Sequence, residues 1–148
     1  MRIACASAGE PPKTSMPPSY GQTAWPIAPE NTVFGGFSMG SVMSYSMGLA
    51  GDRPKPAGIL AFSGFIPTVD DWKPDLASRT DLPVFIAHGR RDPIMEIEFA
   101  RRARTLLEAG GLPVEYHESD AGHEIDPSHL QAATDWLAGI TTTAPGGN

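Results

Sequence analysis

Ser38 stands in the pentad Gly36-Phe37-Ser38-Met39-Gly40, a G-x-S-x-G pattern. A serine hydroxyl is a poor nucleophile until a base takes its proton. The chain offers a base and an orienting carboxylate further along, His123 in ESDAGHEID and Asp92 in AHGRRDPI. Together they suit acyl transfer. Ser38 would attack an ester carbonyl, His123 would carry the proton, and Asp92 would hold the imidazole ring in place. The free N–H groups at the start of the helix that follows would face the negative charge that develops on the carbonyl oxygen. Asp120 and Asp126 are rival acids, but they share the His123 loop and would have to fold back sharply to orient its ring.

These roles require particular elements. Thr32–Phe37 (TVFGGF) reads as a strand and Ser38–Ala50 as a helix with Val42, Met43, Ser46 and Leu49 at near-helical spacing. The pentad therefore sits at a strand-to-helix turn, where Gly36 and Gly40 remove side-chain bulk and the helix N-terminus faces the nucleophile. Gly58–Phe65, Pro83–Ala87 and Val114–Glu118 are three more strand candidates. Ile94–Ala109 carries the apolar stripe Phe99, Ala100, Ala103, Leu106 and Leu107, and Gly110-Gly111 stops it. Pro127–Ile140 is a last helix with Asp126 as N-cap and a stripe of Leu130, Ala133, Leu137 and Ile140. Mostly apolar strands alternating with helices predict an α/β fold, a small, mostly parallel sheet of about four strands with flanking helices. Ser38, Asp92 and His123 each follow a strand, so all three leave the carboxyl edge, where such sheets place their chemistry. Met43 and Met47 read as core. Phe65, Ile66 and Trp72 follow the second apolar run and are candidates to line the substrate site.

Composition narrows the class. The chain has 148 residues, enough for one domain. Its net charge of -6 argues against a nucleic-acid partner. The single cysteine, Cys5, rules out an internal disulfide and a cysteine-based zinc site. No histidine pair has metal-ligand spacing with a carboxylate, so no metal is expected. No apolar run reaches membrane-span length, and the N-terminus lacks an apolar leader, which points to a cytoplasmic protein without membrane contact. Prolines 11, 12, 17, 18, 26 and 29 make residues 1–30 read as an irregular arm, residues 31–140 as the catalytic domain and 141–148 as a frayed tail. His88 reads as structural, and His117 and His129 receive no role.

The stretches TVFGGFSMGSVMSYSMGL, AGILAFSGFIP, PVFIAHGRRDPIM and DAGHEI, with the order Ser38, Asp92, His123, carry a family likeness. Residues Asn31–Ile140 resemble the phospholipase/carboxylesterase group of α/β-hydrolases, which includes acyl-protein thioesterase-like enzymes. The resemblance implies a cofactor-free hydrolase with Ser38 as nucleophile, His123 as general base and Asp92 as its orienter. It also implies a backbone oxyanion donor at Met39. The departure lies at the start. The family usually has several strands before the pentad and an early His-Gly loop that supplies a second oxyanion donor. Here the one His-Gly, His88-Gly89, follows the wrong strand, and residues 1–30 do not look like the family. Tyr20, Gly21 and Gln22 are the arm's nominees for that donor. The expected fold is thus a truncated α/β-hydrolase. Its pentad strand would be left as an edge, to be covered by a second copy in a homo-oligomer or by the arm folded back.

The expected function is a serine carboxylesterase acting on small, short-chain esters through an acyl-enzyme on Ser38. The alternatives are a thioesterase or lysophospholipase with the same three residues, or an idle truncated hydrolase kept as an oligomeric or binding module.

Overall fold

The computed structural model describes residues 2–5 and 27–143. Five strands, β1 (Arg2–Cys5), β2 (Thr32–Phe37), β3 (Gly58–Phe62), β4 (Val84–Gly89) and β5 (Val114–Ser119), form one sheet in that order. Every neighbouring pair is parallel. Three helices accompany them, α1 (Met39–Gly48), α2 (Ile97–Ala109) and α3 (Pro127–Thr143). The four strands expected from the sequence are β2 to β5.

β1 corrects the reading of residues 1–30 as wholly irregular. Arg2–Cys5 pairs with Thr32–Gly35 along the free side of β2. Four residues are too few to display a strand period. What places them in the sheet is the row of backbone donors and acceptors on β2, a demand the local sequence does not show. The pentad strand is therefore not the sheet edge, and part of the arm covers it, one of the two arrangements anticipated.

Side-chain alternation along the strands divides the core in two. Ile59, Ala61, Val84 and Ile86 point to one face, where Tyr45 of α1, Leu49 at its C-cap, and Ala100, Ala103 and Leu107 of α2 cover them. Leu60, Phe62, Phe85 and Ala87 point to the other, with Ala133, Trp136 and Leu137 of α3. β3 and β4 are buried at every position, which is why their sequence reads as continuous apolar runs.

Boundaries and faces differ in places. α2 begins at Ile97, not Ile94, because residues 92–95 are committed to the Asp92 loop. α3 continues to Thr143, so the tail does not begin at 141. Met43 is exposed, one residue around α1 from the buried Val42. Leu106, beside the buried Leu107, and Leu130, at the start of α3, are also exposed. Asp126 caps α3 as expected, its Oδ1 accepting the Ser128 N–H at 2.8 Å.

His129, in the first turn of α3, is buried, and its Nε2 has no hydrogen-bond partner among the described residues. Burial, with His117 and His88 nearby, holds its pKa below the ordinary value against the opposing pull of Asp126 and the Glu118 backbone. The folded state therefore keeps this ring neutral. Its contribution to stability is fully present above the unfolded histidine pKa of about 6.5 and is lost as pH falls below it. The thermal midpoint of the wild type is expected to drop more between pH 7.5 and pH 5.5 than that of His129→Gln. Equal drops would contradict the assignment.

Candidate active site

β2 delivers Ser38 to the carboxyl edge of the sheet in a strained turn. Its φ is 58° and its ψ -122°. Such a conformation in a residue other than glycine costs on the order of 1–3 kcal/mol and persists only where the surroundings enforce it. Two close approaches do so. A Cβ on Gly36 would lie 2.3 Å from the carbonyl carbon of Gly40, so the turn closes only between glycine-sized residues. A Cβ on Gly64 would lie 1.6 Å from Ser41 Oγ. That hydroxyl donates to the Ser38 carbonyl at 2.7 Å. Ser63, just before Gly64, is a second strained residue, at φ 51°.

His123 lies between the other two. Its Nε2 is 3.0 Å from Ser38 Oγ, and its Nδ1 is 2.7 Å from Asp92 Oδ2. The Phe37 ring packs against the imidazole, with centroids 4.8 Å apart. A carboxylate can only accept, so Nδ1 carries the proton and Nε2 presents a lone pair to the Ser38 hydroxyl. The Asp92 side chain is fully buried. Its Oδ1 accepts the N–H groups of Ile94 and Met95, both at 2.8 Å. Burial pushes the Asp92 carboxyl up, but the hydrogen bonds from Met95, His123 and Ile94 together outweigh it, and the group sits below its ordinary pKa. It is thus held as an anion pointing at an imidazole.

The loops carrying Asp92 and His123 are stitched to each other. The Arg90 N–H donates to Ser119 O at 2.8 Å and the Arg91 N–H to Ala121 O at 3.1 Å. A Cβ on Gly89 would meet Ala121 O at 2.3 Å, so this glycine lets the loops close. Glu118 accepts from Arg90, Arg101 and Tyr116 at the end of β5. Arg101 leads the causes that lower the Glu118 pKa to about 2. The sequence pattern gives Gly64 and Ser41 no role, and names Gly89 only as part of His88-Gly89. The His88-Gly89 pair was the only available hint, and its meaning depends on a loop thirty residues away.

Met39 heads α1, whose first N–H groups have no partner within the helix. Its side chain is exposed. Phe65, Ile66 and Trp72 come together with Phe99 and Leu106 around a cleft of about 680 Å³. Phe65 follows Gly64, which lies against Ser38 and Ser41. A larger hollow of about 1340 Å³ lies at the opposite, amino end of the strands and contains none of the three residues. Tyr20, Gly21 and Gln22 fall outside the described residues.

With this arrangement in view, comparison with known proteins is informative. Residues 19–141 match the model of the family described as Phospholipase/Carboxylesterase. The chain belongs to the phospholipase/carboxylesterase family. The match begins at residue 19, inside the segment that did not look like the family. It is 29% identical over 127 residues to acyl-protein thioesterase 1 of Emericella nidulans, covering 82% of this chain and 53% of that protein. It is 34% identical over 116 residues to acyl-protein thioesterase 1 of Gibberella zeae, covering 75% and 48%. Among solved structures it resembles esterase PE8, with 28% identity, a TM-score of 0.66, and coverage of 82% of this chain and 55% of that one. The Bacillus cereus carboxylesterase shares the fold, with a TM-score of 0.65, 22% identity and coverage of 77% and 52%. The fold is that of the α/β-hydrolases. The chain spans about half the length of the curated relatives it matches. No helix among the described residues is long and apolar enough to cross a membrane.

Proposed function

We propose that this member of the family is a serine carboxylesterase that hydrolyses small, short-chain esters without a cofactor. His123 Nε2 takes the Ser38 proton as Oγ attacks the ester carbonyl. The tetrahedral oxyanion is held by the Met39 N–H, and the alcohol leaves with the proton returned by His123. A water that gives its proton to His123 then attacks the acyl-enzyme, releases the acid and restores Ser38. Asp92 holds the ring and stabilises its charged form. The acyl group lies toward the cleft of Phe65, Ile66 and Trp72. The observation that carries this reading is the row Ser38, His123, Asp92, with spacings of 3.0 and 2.7 Å, at the carboxyl edge of the sheet. Steady-state rates on p-nitrophenyl acetate, butyrate and octanoate test it. The expected kcat/KM is highest for the shorter esters. Background rates from the folded chain on all three would leave the idle-hydrolase reading in its place.

A second reading draws on the relatives named acyl-protein thioesterase 1. The same acyl-enzyme chemistry cleaves a thioester, and parallel rates on butyryl ester and butyryl thioester substrates separate the two. The lack of disulfide-forming cysteine pairs in the sequence is consistent with a cytoplasmic location, which is part of the proposal. A homo-oligomer paired through an edge of the sheet is the proposed assembly. Light scattering at a multiple of the 15.7 kDa chain mass supports it, and a monomer contradicts it.

A further inference from the structure

His88 is the last residue but one of β4 and is buried, with its side chain wholly out of solvent. Its Nε2 lies 2.6 Å from Met95 O and 3.7 Å from Asp92 Oδ2. Both neighbours only accept, so Nε2 carries the proton and donates to Met95. Nδ1 has no hydrogen-bond partner among the described residues. A buried polar atom left unpaired is costly, a cost that the Nε2 bond to Met95 offsets only in part. The imidazole therefore needs a reason to be there, and the bonds around it supply one. His88 holds the Met95 carbonyl, and the Met95 N–H and its neighbour Ile94 hold Asp92 Oδ1. Asp92 Oδ2 holds His123, and His123 faces Ser38. The His88 Nε2, whose N–H goes to Met95, also lies 3.7 Å from the carboxylate oxygen that receives His123.

We infer that His88 is a positioning residue: through the Met95 peptide it fixes the Asp92 loop so that the carboxylate meets His123 Nδ1. This rests on the esterase reading above for its kinetic consequence, and on geometry alone for its structural one.

The test compares wild type with His88→Phe, which keeps a ring but removes the donor, and His88→Gln, whose amide nitrogen can replace Nε2. Two readouts are needed. One is kcat and KM on p-nitrophenyl butyrate. The other is the strongly downfield NMR resonance of the His123 Nδ1 proton shared with Asp92, which requires no turnover. In His88→Phe, kcat is expected to fall roughly tenfold to a hundredfold with KM little changed, and the downfield resonance to weaken or vanish. His88→Gln is expected to retain both. A purely structural role would lower the thermal midpoint and leave kcat and the resonance unmoved, which would overturn the inference. Should His88→Phe not fold, a folded His88→Gln without the resonance would overturn it equally. A wild type that shows the resonance but no Ser38-dependent hydrolysis would contradict the esterase reading. The Phe and Gln spectra would still decide the role of His88.

Discussion

Replacing Ser38 by Ala is expected to lower kcat on p-nitrophenyl butyrate by about a thousandfold or more, while the chain stays folded. The hydroxyl is the only group in the row that can form the acyl-enzyme. His123 and Asp92 have nothing to activate once it is gone. The strained turn survives the change, because alanine keeps the same Cβ and the closures at Gly36 and Gly64 act on the backbone and on Ser41, not on Oγ. Rates are compared after circular dichroism shows matching spectra. A folded Ser38→Ala chain within tenfold of wild type would move the chemistry to another group and contradict the mechanism.

Asp92→Asn is the second large effect, at about 10⁴-fold in kcat with KM little changed. The Ile94 and Met95 N–H groups fix which atom points where. Both donate to Oδ1, so the asparagine oxygen must occupy that place. The amide nitrogen then takes the position of Oδ2, 2.7 Å from His123 Nδ1. It can only donate, so Nδ1 must become the acceptor and the proton moves to Nε2. The ring then presents a donor to Ser38 and cannot take its proton. The fold should tolerate the change, since every hydrogen-bonding position keeps a partner. A kcat within tenfold of wild type would show that Asp92 merely shapes its loop. In the wild type the depressed Asp92 pKa keeps the carboxylate ionised. Its contribution to stability is present above the ordinary carboxyl value of about 3.9 and is lost only as pH falls through the lower folded value.

Much of this was legible because the signals were local. The turn at Ser38 shows itself as glycines two residues to either side of a serine between a strand and a helix. Asp92 follows an apolar run and His123 a strand of alternating apolar and polar residues, and parallel strands send all three to one edge. β3 and β4 were readable because burial on both faces leaves no polar residue in β3 and only His88, near the end, in β4. The contacts that were not legible are those between segments distant in sequence. Arg2–Cys5 is a strand because β2 has an open side, a fact about residues thirty positions away. Gly89 matters because the Ala121–Gly122 loop closes on it. His88 looked like an ordinary strand-end histidine until Met95 and Asp92 were seen to fold back around its Nε2. Helix faces failed where one residue decides the side, as with Met43 beside Val42 and Leu106 beside Leu107.

The most direct test of the central claim, a covalent acyl-enzyme at Ser38, is intact-mass analysis after exposure to a fluorophosphonate that traps activated serines. The account predicts one adduct per chain, located by peptide mapping to the segment containing Ser38, and none on Ser38→Ala. A folded chain that takes no label, or takes it at another residue while Ser38 remains free, would contradict it.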